Sequence, residues 1–130
     1  MAQANDSRNT RQRVVFSWVV RAFGWRAADS IRERRERFLE EAIELYQACG
    51  GDFFRVGDIA RHVYAKPIGD IGQEAGGVGV TLLSLCSCVG VSAEYCERSE
   101  LERVLALPIE HFRARQNFKA AAGIAMRVPE

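Results

Sequence analysis

The chain has 130 residues, enough for one folded domain, and at this size a few long helices gain much from pairing with another copy. Charged residues make up 27% of it yet balance to a net charge of +1, which excludes a strong overall field for drawing in nucleic acid or an anionic membrane. The four cysteines, Cys49, Cys86, Cys88 and Cys96, lack both C-x-x-C spacing and the density of a secreted disulfide scaffold, so reduced thiols of a soluble, cytoplasmic protein are expected.

Residues 1–9 are polar and without periodicity, and read as a loose arm. From Thr10, the positions Val14, Val15, Trp18, Val19, Ala22 and Phe23 recur at three- and four-residue spacing, which predicts an amphipathic helix ended by Gly24. Its apolar run Val14 to Val20 is broken by Ser17 and falls short of the roughly 20 residues that span a bilayer. Arg21 and Arg26 follow that run and no small-residue cleavage pattern is evident, which speaks against a signal peptide. Asp29 or Ser30 can cap a second helix with Ile31, Phe38, Ala42, Leu45 and Tyr46 as its apolar stripe, stopped by Gly50-Gly51.

A short helix follows from about Phe53 to Tyr64, closed by Lys66-Pro67 because the residue before proline avoids the helical region. Asp70 starts the most apolar helix, with Ile71, Ala75, Val78, Leu82, Leu85 and Cys86 facing inward, ending near Gly90. Ser92 caps the last helical stretch, to about Ala121, in which Pro108 either kinks the helix or opens a new one. With no strand signal, the expectation is an all-α bundle of four to five helices over residues 10–121, with a tail at 122–130.

The chemistry-bearing pattern is Glu40-Glu41-Ala42-Ile43-Glu44. Glu41 and Glu44 are three apart, and Glu40 and Glu44 four apart, on neighbouring helical rows. Such like-charged pairs repel by a few tenths of a kcal/mol each, so a cation between them is called for. Magnesium prefers oxygen ligands and often combines a few carboxylates with substrate phosphates and water. Glu74 on the next long helix, with Asp70 one turn before it, supplies candidate ligands from a second helix packed beside the first. The competing reading is a solvated face balanced by Arg34, Arg35 and Arg37.

The order of these elements resembles the MazG-like all-α nucleoside triphosphate pyrophosphohydrolases, which pair an E-E-x-x-E helix with an E-x-x-D helix. Residues 40–44 match the first motif, and the stretch from Gln73 through Glu74 to Leu83 is similar to the second. Arg37-Phe38-Leu39-Glu40-Glu41 and Lys66-Pro67-Ile68-Gly69 have counterparts in small phage-type members of that family. The second motif departs from the pattern, since Gly77 stands where aspartate is expected. Asp70 either replaces that carboxylate from the other side of Glu74, or the site is crippled.

The resemblance implies hydrolysis of a deoxynucleoside triphosphate, a purine such as dGTP or dATP, to monophosphate and pyrophosphate, in the host cytoplasm if the protein is a phage's. Glu41, Glu44, Glu74 and Asp70 would hold Mg2+ or Mn2+, and Glu40 or Glu41 would orient or deprotonate the attacking water. Arg115 and Lys119, which share a helical face, and Lys66 in the loop are candidates for the phosphates. A solvated basic helix end is the plainer alternative for the first two. Trp18 and Trp25 are candidates for stacking on the base, Trp18 fitting a core position as well. His62 and His111 read as structural or surface residues, and a homodimer or homotetramer is expected, with no membrane or nucleic-acid partner. Two rivals stay open: a nucleotide-binding module that lost turnover through Gly77, and a helical protein using Arg8, Arg11, Arg13 and Arg32 to Arg37 on nucleic acid, against which the interleaved acids argue.

Overall fold

The computed structural model describes residues 7–129, which form helices joined by turns and short loops, with no strand among them. Seven helices follow one another: α1 (Arg8–Phe23), α2 (Trp25–Ala28), α3 (Ile31–Ala48), α4 (Phe53–Tyr64), α5 (Ile71–Val89), α6 (Ala93–Ala106) and α7 (Ile109–Ala121). The expected count of four to five is exceeded at two places. Gly24, at φ 87°, ends α1 with its N–H on the Val20 carbonyl, and the chain re-enters a single helical turn, α2. Pro108 has no N–H to continue α6 and sits in extended conformation as the N-cap of α7, so the last stretch is two helices. The expected arm lies outside the described residues up to position 6. Ser7 accepts from Thr10 N at 3.1 Å and caps α1, which makes Arg8 and Asn9 helical.

Side-chain caps recur at the starts of α3, α4, α5 and α6. Ser30 accepts from Glu33 N at 3.2 Å, Asp52 from Phe54 N at 3.0 Å, Asp70 from Gln73 N at 2.9 Å and Ser92 from Tyr95 N at 3.1 Å. At the end of α5, Gly90 takes the left-handed conformation at φ 77° and Val91 N bonds the Cys86 carbonyl at 3.0 Å, closing the helix.

The chain divides into two compact units, a terminal one (Met1–Glu40 with Leu101–Glu130) and a central one (Glu41–Glu100), with α3 and α6 each contributing to both. In the terminal unit α1 packs on α2 and α7. Val19, Ala22, Ala27, Phe112 and Val128 are buried there, and Trp18 meets Phe112 edge-on at 4.9 Å and Phe23 at 5.4 Å. Arg113 donates to the Ala22 and Arg21 carbonyls at 2.9 and 3.0 Å, capping the C-terminal end of α1 with a cation, where the helix dipole favours one.

Residues 122–129 are docked on this unit rather than trailing from it. Glu33, only 2% exposed, accepts from Gln116 Nε2 at 2.7 Å and from Met126 N at 2.8 Å. Gln116 Nε2 also donates to the Met126 carbonyl at 2.8 Å. The Asn117 amide pairs with both backbone groups of Val128, at 2.9 and 3.3 Å, and Arg37 donates to the Ile124 carbonyl. Side-chain amides thus satisfy backbone groups that no helix or sheet serves.

The central unit is built differently, because Cys86 is its one buried residue. The expected inward stripe of α5 is buried at Cys86 and partly covered at Leu82 and Leu85, while Ile71 and Val78 are exposed. Within the central unit no other helix packs extensively on α5, which leaves the stripe uncovered by that unit. All four cysteines are free. No single described helix is long and apolar enough to cross a membrane, and α5 passes that test only together with α6 as a pair bent by 101°.

Candidate acidic site

Glu41 and Glu44 lie one turn apart on the part of α3 that belongs to the central unit, and both are exposed. Glu40 belongs to the terminal unit, and its carboxylate is engaged on both oxygens, with Lys119 Nζ at 2.5 Å and Arg37 Nη1 at 3.2 Å. Arg37 Nε also lies 3.5 Å from Glu33, and Arg34 Nη2 3.7 Å from it, so Glu33 and Glu40 take up two of the three arginines that the sequence offered as a balance for the acidic run. Burial pushes the Arg34 guanidinium below its ordinary value; Glu33 opposes that shift and Arg37 adds to it. Glu44 has no ion-pair partner among the described residues.

The acids expected from the second helix sit at its start. Asp70 lends Oδ2 to the N-cap of α5, and Glu74 is exposed in the first turn. The Glu74 carboxylate folds back over Gly69, where a Cβ would stand 2.3 Å from its Oε1. At Gly76 and Gly77 a Cβ would meet nothing within 4 Å, so no neighbour in the described chain requires glycine at either position. Within one chain these acids are not gathered: among the described residues no three His, Cys, Asp or Glu side chains are placed to hold a metal ion.

Gly69→Ala is expected to swing the flexible end of Glu74 aside while shifting stability by less than about 1 kcal/mol. The readout is the rise in melting temperature that Mn2+ produces: it should need roughly tenfold more Mn2+ in the variant, and an unchanged response would remove Glu74 from any cation site.

The candidate phosphate and base contacts fall in both units. Lys66 is exposed in the loop between α4 and α5, and Arg115 is exposed on α7. Lys119 is held by Glu40. Trp18 is packed into the terminal core, whereas Trp25 is 62% exposed, meets Phe16 edge-on at 5.6 Å and lines an open groove of about 500 Å³ with Arg26 and Pro129. His62 and His111 are both exposed.

Reading the sequence missed Glu33, Arg113, Gln116 and Asn117 as the groups that tie the terminal unit together. Glu33 carried a local signal, three residues after the Ser30 cap, but its burial depends on partners more than 80 positions away. No family model matches the chain, and neither a curated protein nor a solved structure matches it.

Proposed function

We propose that the chain is a metal-dependent nucleoside triphosphate pyrophosphohydrolase of the MazG-like type. In this reading it forms a helical bundle in the cytoplasm and converts a deoxynucleotide, a purine such as dGTP or dATP, to its monophosphate and pyrophosphate. One observation carries the reading: the E-E-x-x-E run leaves Glu41 and Glu44 exposed one helical turn apart, with Glu44 unpaired among the described residues. Like charges so placed repel unless a cation joins them. Of the arginines nearby in sequence, Arg34 and Arg37 are engaged with Glu33 and Glu40, and neither pairs with Glu44.

Carboxylate oxygens are the donors that Mg2+ or Mn2+ prefers, and Glu41, Glu44, Glu74 and Asp70 supply them. Their chemistry fits such an ion; their spacing within one chain does not. The residues' own part in the reading is to bind and orient, with Arg115 and Lys66 as exposed cations for phosphate charge and Trp25 as an exposed ring for a base. Glu40 is poorly placed to handle water, because both its oxygens are committed to Lys119 and Arg37, which leaves Glu41 as the other candidate for that role.

A second reading, a nucleotide-binding module without turnover, is favoured by one observation. Asp70, the candidate to replace the aspartate missing at Gly77, is already employed as the N-cap of α5. Incubation with each common nucleoside triphosphate, with and without Mn2+, followed by a pyrophosphate assay, separates the two. The enzyme releases pyrophosphate from a purine deoxynucleotide only with metal. A nucleotide that raises the melting temperature without any release selects the binding module and ends the hydrolase reading.

A further inference from the structure

The near-zero net charge of the chain conceals a division between its two units. The terminal unit holds fourteen bases against eight acids, and the central unit four bases against nine acids. Within the terminal unit the imbalance is steepest along α1 and α2, where residues 8–28 include five arginines and no aspartate or glutamate. A local field of one sign draws in anions even when the molecule as a whole is balanced.

Two open grooves lie on that stretch, and every residue that lines them belongs to the terminal unit. The larger, of about 750 Å³, runs over Phe16 and Val19 of α1, with Asn9, Gln12 and Arg13 on the same helix and Arg34 of α3 in its wall. The smaller, of about 500 Å³, carries Trp25, Arg26 and Arg127. Phe16 of the first and Trp25 of the second meet edge-on at 5.6 Å, so the grooves adjoin at an aromatic pair whose members are 48% and 62% exposed. No acid lines either groove among the described residues. Arg13 and Arg26 have no carboxylate partner among those residues, and Arg34 shares Glu33 with Arg37. The side-chain amides of Asn9 and Gln12 bond nothing else among the described residues.

We propose that these adjoining grooves bind single-stranded nucleic acid, with its phosphates on Arg13, Arg26 and Arg34 and its unpaired bases on Phe16 and Trp25. Guanidinium groups grip phosphate in a fixed fork, and every base has a π-face that an exposed ring can meet, so the pattern demands no particular base sequence. A duplex keeps its base faces in its own stack and would leave both rings unused. A bilayer suits a helix with one apolar face and its charges on the other, whereas here Arg13, Arg34 and the two amides line the concavity itself. An acidic peptide would answer the charge and leave the rings without planar partners. The inference shares only Trp25 with the proposed hydrolysis and uses none of its carboxylates, so the two can fail separately.

Fluorescence anisotropy of a labelled oligo(dT) of about 15 nucleotides, titrated with the full-length protein in EDTA at about 50 mM salt, is expected to show binding in the micromolar range. Raising the salt should weaken it with a log-log slope of about −2, as three phosphate contacts require. Trp25→Ala should cost at least about fivefold in affinity. Arg13→Gln and Arg26→Gln should each cost about threefold and make the slope shallower by about 0.7, with circular dichroism unchanged in all three variants. Arg55→Gln, in the central unit, should bind as the wild type does. If Trp25→Ala loses its helices, quenching of the wild type's tryptophan fluorescence by the oligonucleotide decides on the ring, since Trp18 is packed into the terminal core. No change in anisotropy at about 100 μM protein overturns the proposal. So does binding that the three variants leave intact, or an equal or higher affinity for the duplex of the same sequence, for polyglutamate or for phosphatidylserine vesicles.

Discussion

Glu41→Gln is expected to lower pyrophosphate release by at least about 100-fold, with the fold unchanged. The substitution keeps the shape of the side chain and nearly the same helix propensity, on an exposed stretch of α3. What it removes is the negative charge, which both a cation ligand and a proton acceptor for water require. A change worth several kcal/mol in the transition state corresponds to two or three powers of ten in rate. Glu40→Gln makes the informative comparison. Its carboxylate is held by Lys119 and Arg37, so its loss should show mainly as a lower melting temperature, with activity reduced by less than about tenfold. Matched circular dichroism and pyrophosphate assays on both variants read this out. Wild-type turnover in Glu41→Gln would remove the acidic run from the reaction.

Glu33→Ala should be the most damaging single change to stability, at about 3–5 kcal/mol, because it removes one partner from a buried charged network. The side chain is 2% exposed and accepts from Gln116 Nε2 and Met126 N at 2.7 and 2.8 Å, with Arg34 and Arg37 beside it. Without it, two donors lose their acceptor and two guanidinium groups lose a counter-charge in a place water does not reach. For a chain of this size the melting temperature should fall by roughly 10 °C or more. Glu33→Gln, which keeps one acceptor oxygen but not the charge, should fall between the two. A drop of less than about 2 °C in the alanine variant would show that the network does not hold the unit together.

Much of the helical order was legible in the sequence because caps and breakers act locally. Ser30, Asp70 and Ser92 each bond an N–H three residues ahead, and Gly24 and Gly90 stop their helices with positive φ, so a short window of residues contains the cause. The turn α2 was not legible, since four residues after a glycine carry no periodicity. Nor was the exposure of α5. Its apolar spacing says that the helix wants covering, and only the packing shows that its own unit provides little cover. Of the candidate site, the pair Glu41 and Glu44 was readable from spacing alone. The diversion of Glu40 to Lys119 was not, because it joins positions 79 apart in the chain.

The amide clamp on residues 122–129 bears on where the protein tolerates cutting. Periodicity alone puts the end of the folded part near Ala121, yet a polypeptide stopped there would lose Val128 from the terminal core. It would also strip the amide side chains of Gln116 and Asn117 of their backbone partners. Shortened versions made for crystallisation should therefore keep those last residues, and a purification tag is better joined at the opposite terminus.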